Sequence, residues 1–88
     1  MKIKEGYVLR QVASKWVILP VGDAAANFNK MISLNDSGVL LFKALEEGCD
    51  REALADALMN EYEVERERAL EDVDTFTAAL IKAGCIEE

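Results

Sequence analysis

Eighty-eight residues, 51% hydrophobic and 31% charged, form one globular domain (1–88) with a modest core and exclude a disordered chain. No apolar run approaches the roughly 18 residues of a bilayer span, and the opening MKIKEGYVLR is charged where a signal peptide is apolar, so the expected location is cytoplasmic with no membrane partner. The net charge of −7 is uneven: residues 1–34 carry five Lys/Arg against two acids and residues 35–88 carry five against fifteen, a balance that repels nucleic acid from the C-terminal part.

In chain order, Val8 to Val12 and Trp16 to Val21 are β-branched and aromatic runs separated by Ala13-Ser14-Lys15, which predicts a hairpin. Pro20 has no amide to donate and belongs at a strand end. Gly22-Asp23 opens a loop, and a third run reaches Leu34 with Phe28, Met31, Ile32 and Leu34 as its apolar positions. Three strands, at about 7–12, 16–21 and 28–34, most simply make an antiparallel meander with the third strand on an edge.

Helices follow at about 36–47, 51–61 and 65–83. Asn35 caps the first, Leu34 and Val39 stand at hydrophobic-staple spacing, and Leu41, Phe42 and Leu45 continue the apolar stripe to Gly48, expected in a left-handed cap. Asp50 caps the second, which carries Leu54, Ala55, Leu58 and Met59 on one side. In the third, Ala69, Val73, Phe76 and Leu80 repeat at 4-3-4 spacing, the mark of a core face; Gly84 stops it and Cys85-Ile86 packs back. The fold class is therefore α+β, a three-stranded antiparallel sheet followed by three helices, like a winged helix-turn-helix.

Catalytic chemistry is poorly supplied. The chain has no histidine, so it lacks the commonest general base and metal ligand. Cys49 and Cys85 are too few and too far apart for a structural zinc motif and read as small apolar residues rather than a disulfide. The glycines are scattered and form no phosphate loop. The acids Glu63, Glu65, Glu67, Glu71, Asp72 and Asp74 read as a solvated face. No enzyme activity, cofactor or metal is expected.

Leu34-Asn35-Asp36-Ser37-Gly38-Val39-Leu40-Leu41-Phe42, then Leu45-Glu46-Glu47-Gly48, then Tyr62-Glu63-Val64 and the long helix closing on Ala83-Gly84 stand in an order and spacing that resemble the PqqD family. Gly6-Tyr7-Val8-Leu9-Arg10 and Leu19-Pro20-Val21-Gly22 are similar to small standalone members. Phe42, where Trp is common, and Cys85-Ile86, where plain aliphatics are usual, are departures. The resemblance implies a non-catalytic recognition element that binds the leader segment of a ribosomally made precursor peptide. It implies delivery of that peptide to a modifying enzyme, often a radical S-adenosylmethionine (SAM) protein. It also implies that the leader adds as a strand beside the third strand, in a groove against the third helix.

The residues permit this. An edge strand offers unpaired backbone groups to an extended peptide, and Phe28, Asn29, Lys30, Met31, Ile32 and Ser33 contain one charge and no proline. Lys30 suits an acidic leader, although an edge lysine also guards against aggregation. On the third helix Leu70, Thr77 and Ile81, with Asp74 between them, form a row beside the core stripe that would wall the groove; alternatively Leu70 and Ile81 only widen the core face. An unoccupied edge leaves the choice between monomer and weak homodimer open. The competing reading is a winged-helix DNA-binding regulator. Its third helix would present Glu65, Arg66, Glu67, Arg68, Glu71 and Asp72, a poor surface for a polyanion.

Overall fold

The computed structural model describes residues 1–22 and 32–87. Its elements in chain order are β1 (Lys2–Ile3), β2 (Tyr7–Val12), β3 (Lys15–Pro20), β4 (Ile32–Leu34), α1 (Asp36–Glu47), α2 (Arg51–Glu61), α3 (Arg66–Ala83) and β5 (Ile86–Glu87). The fold is α+β: strands β2, β3 and β4 form an antiparallel sheet in that order, and the three helices follow. The expected third strand is described only from Ile32 onward, so its Phe28, Asn29, Lys30 and Met31 lie outside the described residues.

Pairing of Val12 with Lys15 leaves Ala13-Ser14 as a two-residue turn, with Ala13 at φ +56°. Pro20 ends β3 opposite Tyr7, where its missing amide interrupts nothing, and Val21 N–H donates to Gly6 O at 2.7 Å to close the ladder. In the next pair Trp16, Val17 and Ile18 face Leu34, Ser33 and Ile32. Successive side chains on a strand alternate faces, so Ile18, Ile32, Leu34 and Trp16 share one face. That face packs on the helices: Ile18 is fully buried, and Ile32 and Leu34 are half-buried against the same cluster.

Each helix begins as its cap predicts, apart from α3. The Asn35 side chain accepts from Gly38 N–H at 2.9 Å and the Asp50 side chain from Ala53 N–H at 2.8 Å. Glu65 occupies the α3 cap without a side-chain bond. Gly84 is left-handed, but Gly48 has φ +88° and ψ +123°, outside the left-handed helical basin expected for it. It still sits where an L side chain is strained, because the chain leaves α1 in an extended direction toward Met1.

The core is built from Leu41, Phe42 and Leu45 of α1, Leu54, Ala55 and Leu58 of α2, and Ala69, Val73 and Leu80 of α3, with Cys85 and Ile86 closing it. The two-stranded β1–β5 sheet, too short to show periodicity in sequence, is what packs the C-terminal residues back. Ile3 pairs with Ile86, and Lys4 N–H donates to Cys85 O at 2.8 Å. Both cysteines are free; Cys85 is fully buried and Cys49 half-buried. Burial pushes both thiols above their ordinary pKa.

Candidate functional site

The site is set by where α3 stands. It packs along α2 and against β5 and stands off the three-stranded sheet, leaving a groove between itself and β4. The groove measures about 530 Å³. Ile32, Ser33 and Leu34 line one side, Thr75, Phe76, Ala79 and Leu80 the other, and Lys15, Asn35 and Gly38 the remainder. Of these, Ser33, Thr75 and Ala79 are exposed, whereas Ile32, Leu34 and Phe76 are half-buried and present a mainly apolar lining. Among the described residues β4 pairs only with β3, so its other edge has no strand partner.

Gly38 fixes how closely α1 approaches β4. A Cβ there would lie 3.2 Å from Leu34 Cβ and 3.3 Å from Asn35 Oδ1, tighter than ordinary contact. On the helix side of the sheet, Lys43 Nζ sits 5.7 Å from the centre of the Trp16 ring, a cation–π distance that ties α1 to the strand beside Leu34.

The sequence-predicted site residues separate into groups. Ile32 and Ser33 line the groove. Thr77 is a core residue: it is 7% exposed, and its hydroxyl donates to Val73 O at 2.9 Å, one turn back. Asp74 faces α2, where Arg51 Nε and Nη2 donate to its two carboxylate oxygens at 2.7 and 2.8 Å. That guanidinium holds the Asp74 carboxyl below the usual carboxylate range. Leu70 lies with Asp74 in a charged depression on this flank, and Ile81 is exposed.

The row Leu70, Asp74, Ile81 thus runs along the α2 flank, and the groove is walled by the opposite flank. At about 100° per residue, Ala79 lies roughly 140° from Asp74 around the helix axis. Thr75, Phe76 and Ala79 are the lining residues that the apolar row did not indicate. Phe76 read as core because it fits the 4-3-4 stripe, and it does pack against the core while its other side lines the groove; Thr77 read as groove wall because its spacing aligns it with Leu70 and Ile81. The Thr hydroxyl, satisfied by its own helix, makes burial of Thr77 cheap, and the larger Phe76 is displaced toward the groove. Small residues beside an exposed aromatic edge, here Thr75 and Ala79 around Phe76, were the available signal.

Two further arginines pair locally. Arg66 bonds Glu52 at 2.7 Å and also Asp56, both on α2, and Arg68 bonds Asp72 at 3.3 Å within α3. Among the described residues no group of three or more Cys, Asp or Glu side chains is arranged to hold a metal ion, and no helix is long and apolar enough to cross a membrane.

Comparison with known proteins bears on this geometry. No curated protein sequence matches the chain. Among solved structures it is similar to TbiB1 in complex with the TbiA(beta) leader peptide, at 28% identity and a TM-score of 0.78, over 99% of this chain and 95% of that one. A lasso peptide synthetase B1 complexed with the leader peptide shares the fold at 24% identity and a TM-score of 0.76, over 99% and 96% of the two chains. The family model for coenzyme PQQ synthesis protein D matches residues 15–86, a span that runs from β3 through β5 and contains every groove-lining residue named above. The grooved sheet-and-helix architecture and the Leu34-to-Gly48 motif are accordingly those of a family member: the chain belongs to the PqqD family.

Proposed function

We propose that this protein captures the leader segment of a ribosomally synthesised precursor peptide by strand addition to β4, the third strand of its larger sheet, and presents it to a modifying enzyme, without itself being a catalyst. The observation that carries this reading is the edge of β4 that has no strand partner among the described residues, beside a mainly apolar groove. Backbone pairing there is independent of leader sequence, and each hydrogen bond contributes about 0.5–1.5 kcal/mol net. Specificity then comes from alternate leader side chains entering the space between Leu34 and Phe76. The 28%-identical structural neighbour, a leader-peptide complex, supports the same class of ligand. A radical SAM protein is the enzyme class to which the family resemblance points.

A titration tests the reading. A candidate leader from a neighbouring open reading frame is added to isotope-labelled protein, and amide shifts are followed. Shifts at Ile32, Ser33 and Leu34 together with Thr75, Phe76 and Ala79 are expected. Shifts confined to helix ends, or none with any such leader, would overturn strand addition. Presentation is tested separately, by whether a purified modifying enzyme needs this protein to process the full precursor.

A further inference from the structure

We infer that the bound leader continues past Leu34, over the N-terminus of α1, and seats one apolar side chain, flanked by a basic residue, in a second pocket between α1 and the α2–α3 turn. This rests on the leader-binding reading above and adds a second anchor to it.

The groove beside β4 does not close at Leu34. Asn35, Gly38, Thr75 and Phe76 line both that groove and an adjoining stretch of about 360 Å³, which also reaches Ser37, Leu41 and the Arg68–Asp72 pair. Asn35, Ser37 and Asp72 in turn line a pocket of about 370 Å³ whose apolar wall is Leu58, Tyr62 and Val64. The three depressions therefore adjoin one another in series, and a chain leaving the β4 edge meets them in turn. Glycine at position 38 keeps that path wide, since any side chain there would press on Leu34 and Asn35.

The pocket's chemistry selects its occupant. Tyr62 is 39% exposed although its backbone is fully engaged, its N–H donating to Leu58 O and its carbonyl accepting from Val64 N–H. Neither bond involves the ring, which is available to cover an aliphatic or aromatic guest. Two acids stand at the rim. Asp36 makes no ion pair among the described residues, and Asp72 has only the exposed Arg68 at 3.3 Å. With fifteen acids against five basic residues in this half of the chain, a Lys or Arg beside the apolar anchor is attracted and an acidic neighbour repelled. A continuous peptide satisfies both demands from one ligand already placed at the adjoining groove.

The test uses the full chain and a synthetic leader from the neighbouring open reading frame, intact and trimmed residue by residue from each end. With the intact leader, amide shifts are expected at Leu58, Tyr62 and Val64 as well as at Ile32, Ser33 and Ala79. Trimming from one end removes only the first set and weakens binding roughly tenfold, the scale of one buried anchor. Tyr62→Ser weakens the intact leader by a similar factor and leaves the trimmed one unchanged. Asp36→Asn, which touches no packing, acts in the same sense at about threefold and serves if Tyr62→Ser lowers the melting temperature. A leader that binds at β4 with no shift at Leu58, Tyr62 or Val64 overturns the second anchor and leaves the strand reading intact. Equal weakening of intact and trimmed leader by Tyr62→Ser overturns it too. Shifts at these residues that follow protein concentration, or that come only with the modifying enzyme, assign the pocket to a second copy or to the enzyme and overturn it. Absence of any binding at β4 removes both readings.

Discussion

Two substitutions on one helix separate the groove flank of α3 from its α2 flank. Ala79 and Ile81 are both exposed, and they lie about 200° apart around the helix, Ala79 lining the groove and Ile81 outside it. In helix propensity a glutamate costs a few tenths of a kcal/mol at Ala79 and nothing at Ile81, so the fold tolerates both. In the groove its carboxylate stays hydrated and occupies space that, on the proposed function, a leader side chain enters. Full burial of one Val, Leu or Ile contributes about 1.5–3 kcal/mol, so forfeiting one such contact at about 2 kcal/mol raises Kd roughly thirtyfold. Ile81→Glu should change Kd less than about threefold, in line with the small effects of surface changes. Fluorescence anisotropy with a labelled leader reads both, thermal melts confirm folding, and Ala79→Lys separates occlusion from charge because occlusion predicts weakening by either sign. Wild-type affinity in Ala79→Glu together with a large loss in Ile81→Glu would refute the assignment and move the contact surface to the row of Leu70, Asp74 and Ile81.

Asn35→Ala removes the acceptor of Gly38 N–H and should cost about 1 kcal/mol, lowering the melting temperature by roughly 4–8 °C, while Asn35→Asp should retain most of the stability. Asp74 has a folded pKa held below its ordinary value by Arg51, so its contribution is present above the unfolded carboxylate pKa of about 3.9 and is lost as pH falls through the lower folded value. The melting difference between wild type and Asp74→Asn should therefore be flat near neutral pH and shrink in acid; a difference that grows in acid would contradict the assigned pair. Both thiols are shifted up by burial, and Cys85 is fully covered, so a disulfide reagent near pH 8 should label Cys49 first and Cys85 only on unfolding. Equal labelling rates in the folded protein would contradict the packing of β5.

What was legible in the sequence follows the range of the interaction that encodes it. Asn35 and Asp50 announce their helices because a cap is a bond across three residues. The stripe of Ala69, Val73 and Leu80 announces its core face because period and burial coincide. Pro20 marks a strand end through its missing amide alone. The β1–β5 pair was invisible because two residues carry no period and their pairing joins opposite ends of the chain. The flank of α3 facing β4 was misjudged for a related reason. Apolar content can show that a helix has a second row, but which neighbour that row meets depends on tertiary placement. Here the Arg51–Asp74 pair commits one flank to α2, and Thr77, counted with that row for its spacing, belongs to the core.

The same placement weighs on the DNA-binding alternative. A recognition helix needs free cations on its exposed face, yet Arg66 is held by Glu52 and Asp56 of α2, and Arg68 lies beside Asp72. Exposed pairs of this kind stabilise little, with a typical range of about 0–1 kcal/mol, so their consequence is mainly electrostatic: they neutralise the arginines that would have met phosphate. The surrounding Glu65, Glu67 and Glu71 then leave the N-terminal half of α3 net negative. On the opposite flank, Thr75 and Ala79 carry no charge, and with Phe76 between them they line the groove beside β4. A helix whose arginines are neutralised by nearby acids, and whose small residues face a strand edge with no partner among the described residues, is better suited to reading a peptide than a duplex.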